Sequence, residues 1–84
     1  MSQVINEENI FETLKIGSEG AMVHVVQKSL IQIGFDITEN SVFDEQMERI
    51  VKEFQSQRGL KSDGIITMET MIELDKAYLE HQKK

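Results

Sequence analysis

Apolar residues recur at spacings of three and four in three separate stretches of the chain, each bounded by glycine or by a polar cluster. Met22, Val23, Val26, Leu30 and Ile33 form the first stripe, ended by Gly34. Met47, Ile50, Val51 and Phe54 form the second, ended by Gly59, and Met71, Ile72, Leu74, Tyr78 and Leu79 form the third, finished by Lys83 and Lys84. A period near 3.6 predicts an amphipathic helix in each case. The expected fold is therefore all-α, a compact three-helix domain with short loops. Glycine after the last apolar residue suits a helix that ends in a left-handed turn, after which Phe35 folds back onto the core. Asp44 is placed to cap the second helix and Thr67 the third. Glu45 and Glu48 complement the positive end of the second helix dipole. Residues 1–13 read as a lead-in in which Asn6 can cap a short extra helix presenting Ile10, Phe11 and Leu14. The domain proper is expected over residues 14–80, with 81–84 as a tail.

Between the helices the chain repeats itself. Gly34-Phe35, then Asn40-Ser41-Val42-Phe43-Asp44, then Met47 lines up with Gly59-Leu60, then Asp63-Gly64-Ile65-Ile66-Thr67, then Thr70. Each unit ends a helix at glycine, drops an apolar anchor inward, turns at an Asx-Ser or Asx-Gly pair and caps the next helix. The two units make a loop-and-cap cassette used twice. The segment Leu14 to Gly20, L-K-I-G-S-E-G, is a turn feeding the first helix.

Composition narrows the function classes. A single domain of 84 residues hides little more than ~60% of the surface its unfolded chain exposes, so the core must be economical. No Cys is present to supply a disulfide or a thiolate metal site. Fifteen acidic residues against nine basic ones give a net charge of -6 with the basic residues dispersed, which argues against nucleic acid as a partner. Glu45 precedes Arg49, Glu48 precedes Lys52 and Glu80 precedes Lys84 by four, the spacing of exposed helix ion pairs. The first residues lack a charged leader and an apolar run, and no segment is long enough to cross a bilayer. With Met1 as the native start, the expected location is the cytoplasm, or the chain leaves by a route that reads no signal.

The polar residues beside the stripes carry the candidate chemistry. Gln27 and Gln55 either line a groove that bonds a ligand amide or hold a nearby loop backbone. Asp63 either closes an Asx turn or contacts a ligand. Arg58, beside Gly59, either clamps a carboxylate or serves the helix dipole. The Met residues 22, 47, 68 and 71 are core filler or an adaptable protein-binding face, with Met68, at the start of its helix, the exception among them. His24 and His81 lie in different predicted helices without further ligands, so no metal and no cofactor is expected. Ser18, His24 and Asp36 offer the residue types of a triad but nothing sets a base beside a nucleophile, and no enzyme activity is expected.

The runs L-K-I-G-S-E-G-A-M-V-H-V-V-Q-K-S-L-I-Q-I-G-F and I-V-K-E-F-Q-S-Q-R-G-L-K-S-D-G resemble the small three-helix peptidoglycan-binding domain of bacterial cell-wall hydrolases, over residues 14 to 75. The counterparts of the family pattern are Leu14, Gly17, Ser18, Gly20, Val23, Val26-Gln27, Leu30, Gly34-Phe35, Ile50-Val51, Phe54-Gln55, Gly59-Leu60 and Asp63-Gly64. Where the family has Asp-Gly-x-Phe-Gly, this chain has Asn40 to Asp44, and where it has Gly and Thr-Trp, this chain has Thr67 and Thr70-Met71. The resemblance implies a non-catalytic module that binds peptidoglycan and targets an associated protein to the wall, delivered there by a signal-independent route. Its ligand residues would be Gln55, Arg58, Asp63 and Met71, where the cassettes approach the helix ends. The alternative is a protein-protein adaptor that keeps this fold, intracellular or part of a phage-like or secretion particle. The missing aromatic at Met71 and the repulsion of anionic wall polymers by a net charge of -6 favour it.

Overall fold

The structure, a computed structural model, describes residues 13–82. Three helices follow one another, α1 (Ala21–Gln32), α2 (Glu45–Gln57) and α3 (Met68–Gln82), as the three apolar stripes predict. The short helix expected within residues 1–13 lies outside the described residues.

Asp44 caps α2 as expected: its backbone is extended and its side chain accepts a hydrogen bond from the N–H of Met47 at 3.0 Å. Thr67 meets the N–H of Thr70 at 3.5 Å, a longer contact of the same kind. The α1 and α2 ends match each other. The N–H of Phe35 bonds the carbonyl of Leu30, and the N–H of Leu60 bonds the carbonyl of Gln55, each at 2.9 Å, closing both helices with the wide bond of a glycine C-cap.

The core joins Val23, Val26 and Leu30 of α1 to Met47, Val51 and Phe54 of α2 and to Leu74 and Ala77 of α3. Four more anchors come from outside the helices: Leu14, Ile37, Phe43 and Ile66. Each buried side chain of this size contributes about 1.5–3 kcal/mol relative to an exposed one, so the loops carry a substantial part of the folding free energy. Phe35 packs edge-on against Phe54, with ring centroids 6.3 Å apart and planes at 81°.

Several expected positions move. Met22 is 43% exposed, because α1 turns Val23, Val26, Gln27 and Leu30 inward. On α3, Ile72 and Leu79 are 49% and 56% exposed, and the inward positions are held by Thr70, Leu74 and Ala77. Thr70 is drawn in by the Gln55 amide, which it meets at 3.2 Å, and α3 packs on α1. Ile37, inside a stretch that reads as polar, is buried. Of the four methionines, Met47 is buried, Met71 half-buried against the core, and Met22 and Met68 exposed.

The segment Leu14 to Gly20 straps the two cassettes together. Leu14 exchanges both backbone hydrogen bonds with Ile66, at 3.0 and 2.8 Å. Further along, the N–H of Gly17 bonds the carbonyl of Phe43, the N–H of Phe43 bonds the carbonyl of Ser18, and the N–H of Gly20 bonds the carbonyl of Ser41, each at 2.9 Å. Phe43 and Ile66, equivalent in the repeat, are thus pinned by one strap.

Candidate functional site

Two buried amides organise the loops. Gln27 and Gln55 are each 1% exposed, and each is spent on the cassette that follows its helix. The Gln27 Nε2 donates to Asn40 Oδ1 and the Val42 carbonyl, both at 3.1 Å, while its Oε1 accepts from the N–H groups of Asn40 and Ser41 at 3.0 and 2.8 Å. The Gln55 Nε2 donates to Asp63 Oδ1 at 3.2 Å and the Ile65 carbonyl at 2.9 Å, and its Oε1 accepts from the N–H of Gly64 at 2.9 Å. Even the third contact is equivalent: Nε2 reaches Met47 Sδ at 3.7 Å in the first unit and Thr70 Oγ1 at 3.2 Å in the second. The two glutamines do not sit equally far from their helix ends. Gln27 lies about one turn deeper, and the first loop is correspondingly longer. Same contacts, different reach.

The Asx residues complete each turn. Asn40 Oδ1 accepts from the N–H of Val42, and Asp63 Oδ1 from the N–H of Ile65, both at 3.0 Å. The Ile65 N–H holds the Asp63 carboxyl below its ordinary range; partial burial works against this, and the Gln55 amide and Lys61 add to it. The next residue takes a left-handed backbone in both units, Ser41 at φ 66° and Gly64 at φ 75°. Gly64 is also covered: a Cβ there would stand 2.8 Å from Glu48 Cγ and 3.1 Å from Lys52 Cε. The stems of Glu48 and Lys52 therefore lie over the second loop, and the ion pair their spacing predicts is not formed; nor is that of Glu45 with Arg49. The third such pair involves Lys84, outside the described residues.

Arg58 stands apart from this loop. Its guanidinium reaches across to α3, with Nε 3.3 Å from Glu73 Oε1 and the two terminal nitrogens 3.3 and 3.5 Å from the oxygens of Glu80. Glu80 above all, and then Glu73, raise its pKa beyond the ordinary arginine value, against a lowering effect of burial. Its partners are thus carboxylates of the chain itself, which sequence spacing gives no means of finding. The side chain borders a shallow depression of about 220 Å³ between the C-terminal ends of α2 and α3, lined by Ile33, Phe35, Phe54, Gln57, Arg58, Ala77, Glu80 and His81. Phe35, half-buried and backed by the buried Phe54, makes its apolar floor, and charged and amide groups make its rim.

A second depression, about 480 Å³, lies between α1 and α3 and is lined by Val25, Lys28, Ser29, Gln32 and Tyr78. It has no aromatic pair and no paired opposite charges. Of the four residues singled out in the sequence, Gln55 and Asp63 are bonded to each other in the second cassette, Met71 sits half-buried on the core, and Arg58 faces the first depression. Phe35, Phe54 and Glu80 complete that depression; the sequence marks Phe35 as the anchor after Gly34 and Phe54 as a core position of the second stripe, but Glu80 only as an acid on an exposed helix face. His24 pairs with Glu39 at 2.6 Å on the outer face of the first loop. Among the described residues, no group of three or more His, Cys, Asp or Glu side chains is placed to hold a metal ion, and no helix is long and apolar enough to cross a membrane.

Comparison with known proteins gives this geometry a context. The model of the peptidoglycan binding domain family matches residues 19–74. The chain is 39% identical over 69 residues to the carboxy-terminal processing protease CtpA of Bacillus subtilis, which takes in 77% of the chain but 15% of that protein. In structure it is similar to the SleB N-terminal domain, with a TM-score of 0.77 and 28% identity over 80% of this chain and 93% of that one. It is similar also to the endolysin of Burkholderia phage AP3, with a TM-score of 0.73 and 32% identity over 75% of this chain and 24% of the endolysin. The chain thus spans a small part of the protease and of the endolysin, and nearly the whole of the SleB domain.

Proposed function

The chain belongs to the peptidoglycan-binding domain family, and on that premise we propose that it is a non-catalytic module that binds peptidoglycan and holds an associated protein at the cell wall. The observation that carries this reading is the depression beside Arg58, which combines an aromatic floor with a guanidinium, a carboxylate and an amide at its rim. Stem peptides and N-acetyl sugars present the matching groups: methyls for the Phe35 floor, carboxylates for the Arg58 fork, amides for Gln57. In this reading Arg58 touches the ligand. Gln55 and Asp63 act from behind, by fixing the second loop, and Met71 supports the packing of α3. Association with a larger hydrolase is part of the same proposal.

Co-sedimentation of the purified chain with isolated sacculi at two salt concentrations tests it. Saturable pelleting that survives the higher salt is expected, weakened only through the partly exposed Arg58 contact, since apolar and hydrogen-bonded contacts are screened little. A folded protein that stays in the supernatant overturns it.

A second reading, a protein adaptor on the same fold, draws on the exposed apolar residues Met68, Ile72 and Leu79 of α3. Unchanged pelleting when Ile72 and Leu79 are both replaced by Gln counts against it. Failure of the unaltered chain to pellet turns the choice in its favour.

A further inference from the structure

The rim of the Arg58 depression holds both signs of charge, and its ion pairs are loose. Guanidinium–carboxylate contacts close to about 2.7–2.9 Å when tight. Here Arg58 stands 3.3 Å from Glu73 and 3.3 and 3.5 Å from the two oxygens of Glu80. The two carboxylates differ in setting. Glu73 is 23% exposed and is shared with Lys76 at 3.5 Å, whereas Glu80 is 63% exposed and meets Arg58 at the open edge of the fork.

We infer that this rim is a subsite for a zwitterionic amino-acid end, a carboxylate and an ammonium on neighbouring atoms, of the kind carried by the diamino acid of a wall stem peptide. The inference rests on the peptidoglycan reading above and names the part of the polymer bound. The ligand carboxylate takes the terminal nitrogens of Arg58 in bidentate fashion. Glu80, displaced from them, accepts the ligand ammonium. One loose pair is exchanged for two, and Glu73 keeps Nε in place throughout. A ligand bringing negative charge alone meets a chain of net charge -6 and displaces Glu80 without giving it a partner. A ligand bringing positive charge alone meets Arg58. The methylenes next to the charged groups rest on the half-buried Phe35 and Ile33, as the stems of charged side chains do on apolar surface.

The test is titration of the full chain, followed by NMR, with a soluble acetyl-L-Ala-γ-D-Glu-diaminopimelate peptide and with the same peptide acetylated at its free amine. Acetylation should weaken binding about fivefold, the upper end for an exposed ion pair. Glu80→Gln, an exposed and conservative change, should weaken binding of the free-amine peptide to the same extent, and acetylation should then have no further effect. Equal affinity for the two peptides overturns the inference. So do effects of acetylation and of Glu80→Gln that multiply independently. A chain that sediments with sacculi yet ignores both peptides contacts the glycan instead, so the subsite falls and wall binding stands. A chain that neither sediments nor binds peptide removes both.

Discussion

Replacing Gln55 with Met keeps the length and most of the volume of the side chain and removes its amide, so the cavity contribution is small and the lost hydrogen bonds dominate. Gln55 is 1% exposed and bonds Asp63, Ile65, Thr70 and the N–H of Gly64. Gly64 is itself buried, so its N–H loses its partner where water does not easily reach it; the Ile65 carbonyl is half-buried and recovers part of its bonding from solvent. An orphaned buried group costs about 1–3 kcal/mol, which puts the whole change at roughly 2–4 kcal/mol. For a domain of this size that is a fall in Tm of roughly 10–30 °C. Urea unfolding followed by circular dichroism measures it, with Gln57→Met as a control that makes the same chemical change at an exposed position of the same helix and should stay within about 0.5 kcal/mol. Gln27→Met should cost less than Gln55→Met, because the N–H groups it releases, on exposed Asn40 and half-buried Ser41, are open to water. A Gln55→Met protein as stable as Gln57→Met would refute the claim that this amide holds the loop.

The two left-handed positions should respond in opposite directions: Gly64→Ala should destabilise by about 1–2 kcal/mol through backbone strain and the Glu48 stem above it, and Ser41→Gly should stabilise by about 0.5 kcal/mol, both read from urea midpoints. Because the folded-state pKa of Asp63 is depressed, its contribution to stability is complete above the ordinary carboxylate range and is lost as pH falls through the lower folded value. Asp63→Asn, which copies Asn40 of the first unit, should therefore flatten that part of the acid limb in unfolding midpoints measured from pH 6 to pH 2; an unchanged limb would contradict the turn geometry. On α3, Leu74→Ala should cost about 2–5 kcal/mol and Ile72→Gln less than about 0.5 kcal/mol, and thermal melts showing the reverse order would mean that the helix presents the other face to the core.

The helices were legible because glycine and Asx punctuation frames runs of regular apolar period, and the loop cassette because capping residues and turn residues keep a fixed order. The α3 face was misjudged for a physical reason. Thr70 is held inward by its hydrogen bond to the buried Gln55 amide and Ala77 packs into the core, while the larger Ile72 and Leu79, which a hydrophobicity pattern weighs more heavily, lie on the outer face. Ile37 was hidden by its polar neighbours, since a single anchor in a loop has no period. The glutamines were recognisable as amides needing partners, but whether a ligand or the chain supplies them is decided by the chain path, which returns each loop to its own helix. Arg58 was visible as a cation at a helix end, yet its partners Glu73 and Glu80 come from another helix. The local pair Glu48 and Lys52 is not formed, and both stems lie over Gly64.

The central claim is that peptidoglycan is bound in the depression between the ends of α2 and α3, and mapping amide chemical-shift changes on addition of solubilised glycan-peptide fragments tests it most directly. The account predicts that the shifted amides gather at Phe35, Phe54, Gln57, Arg58, Glu80 and His81. Shifts gathered instead around Val25, Lys28 and Tyr78, or absent while the spectrum is that of a folded protein, would contradict it.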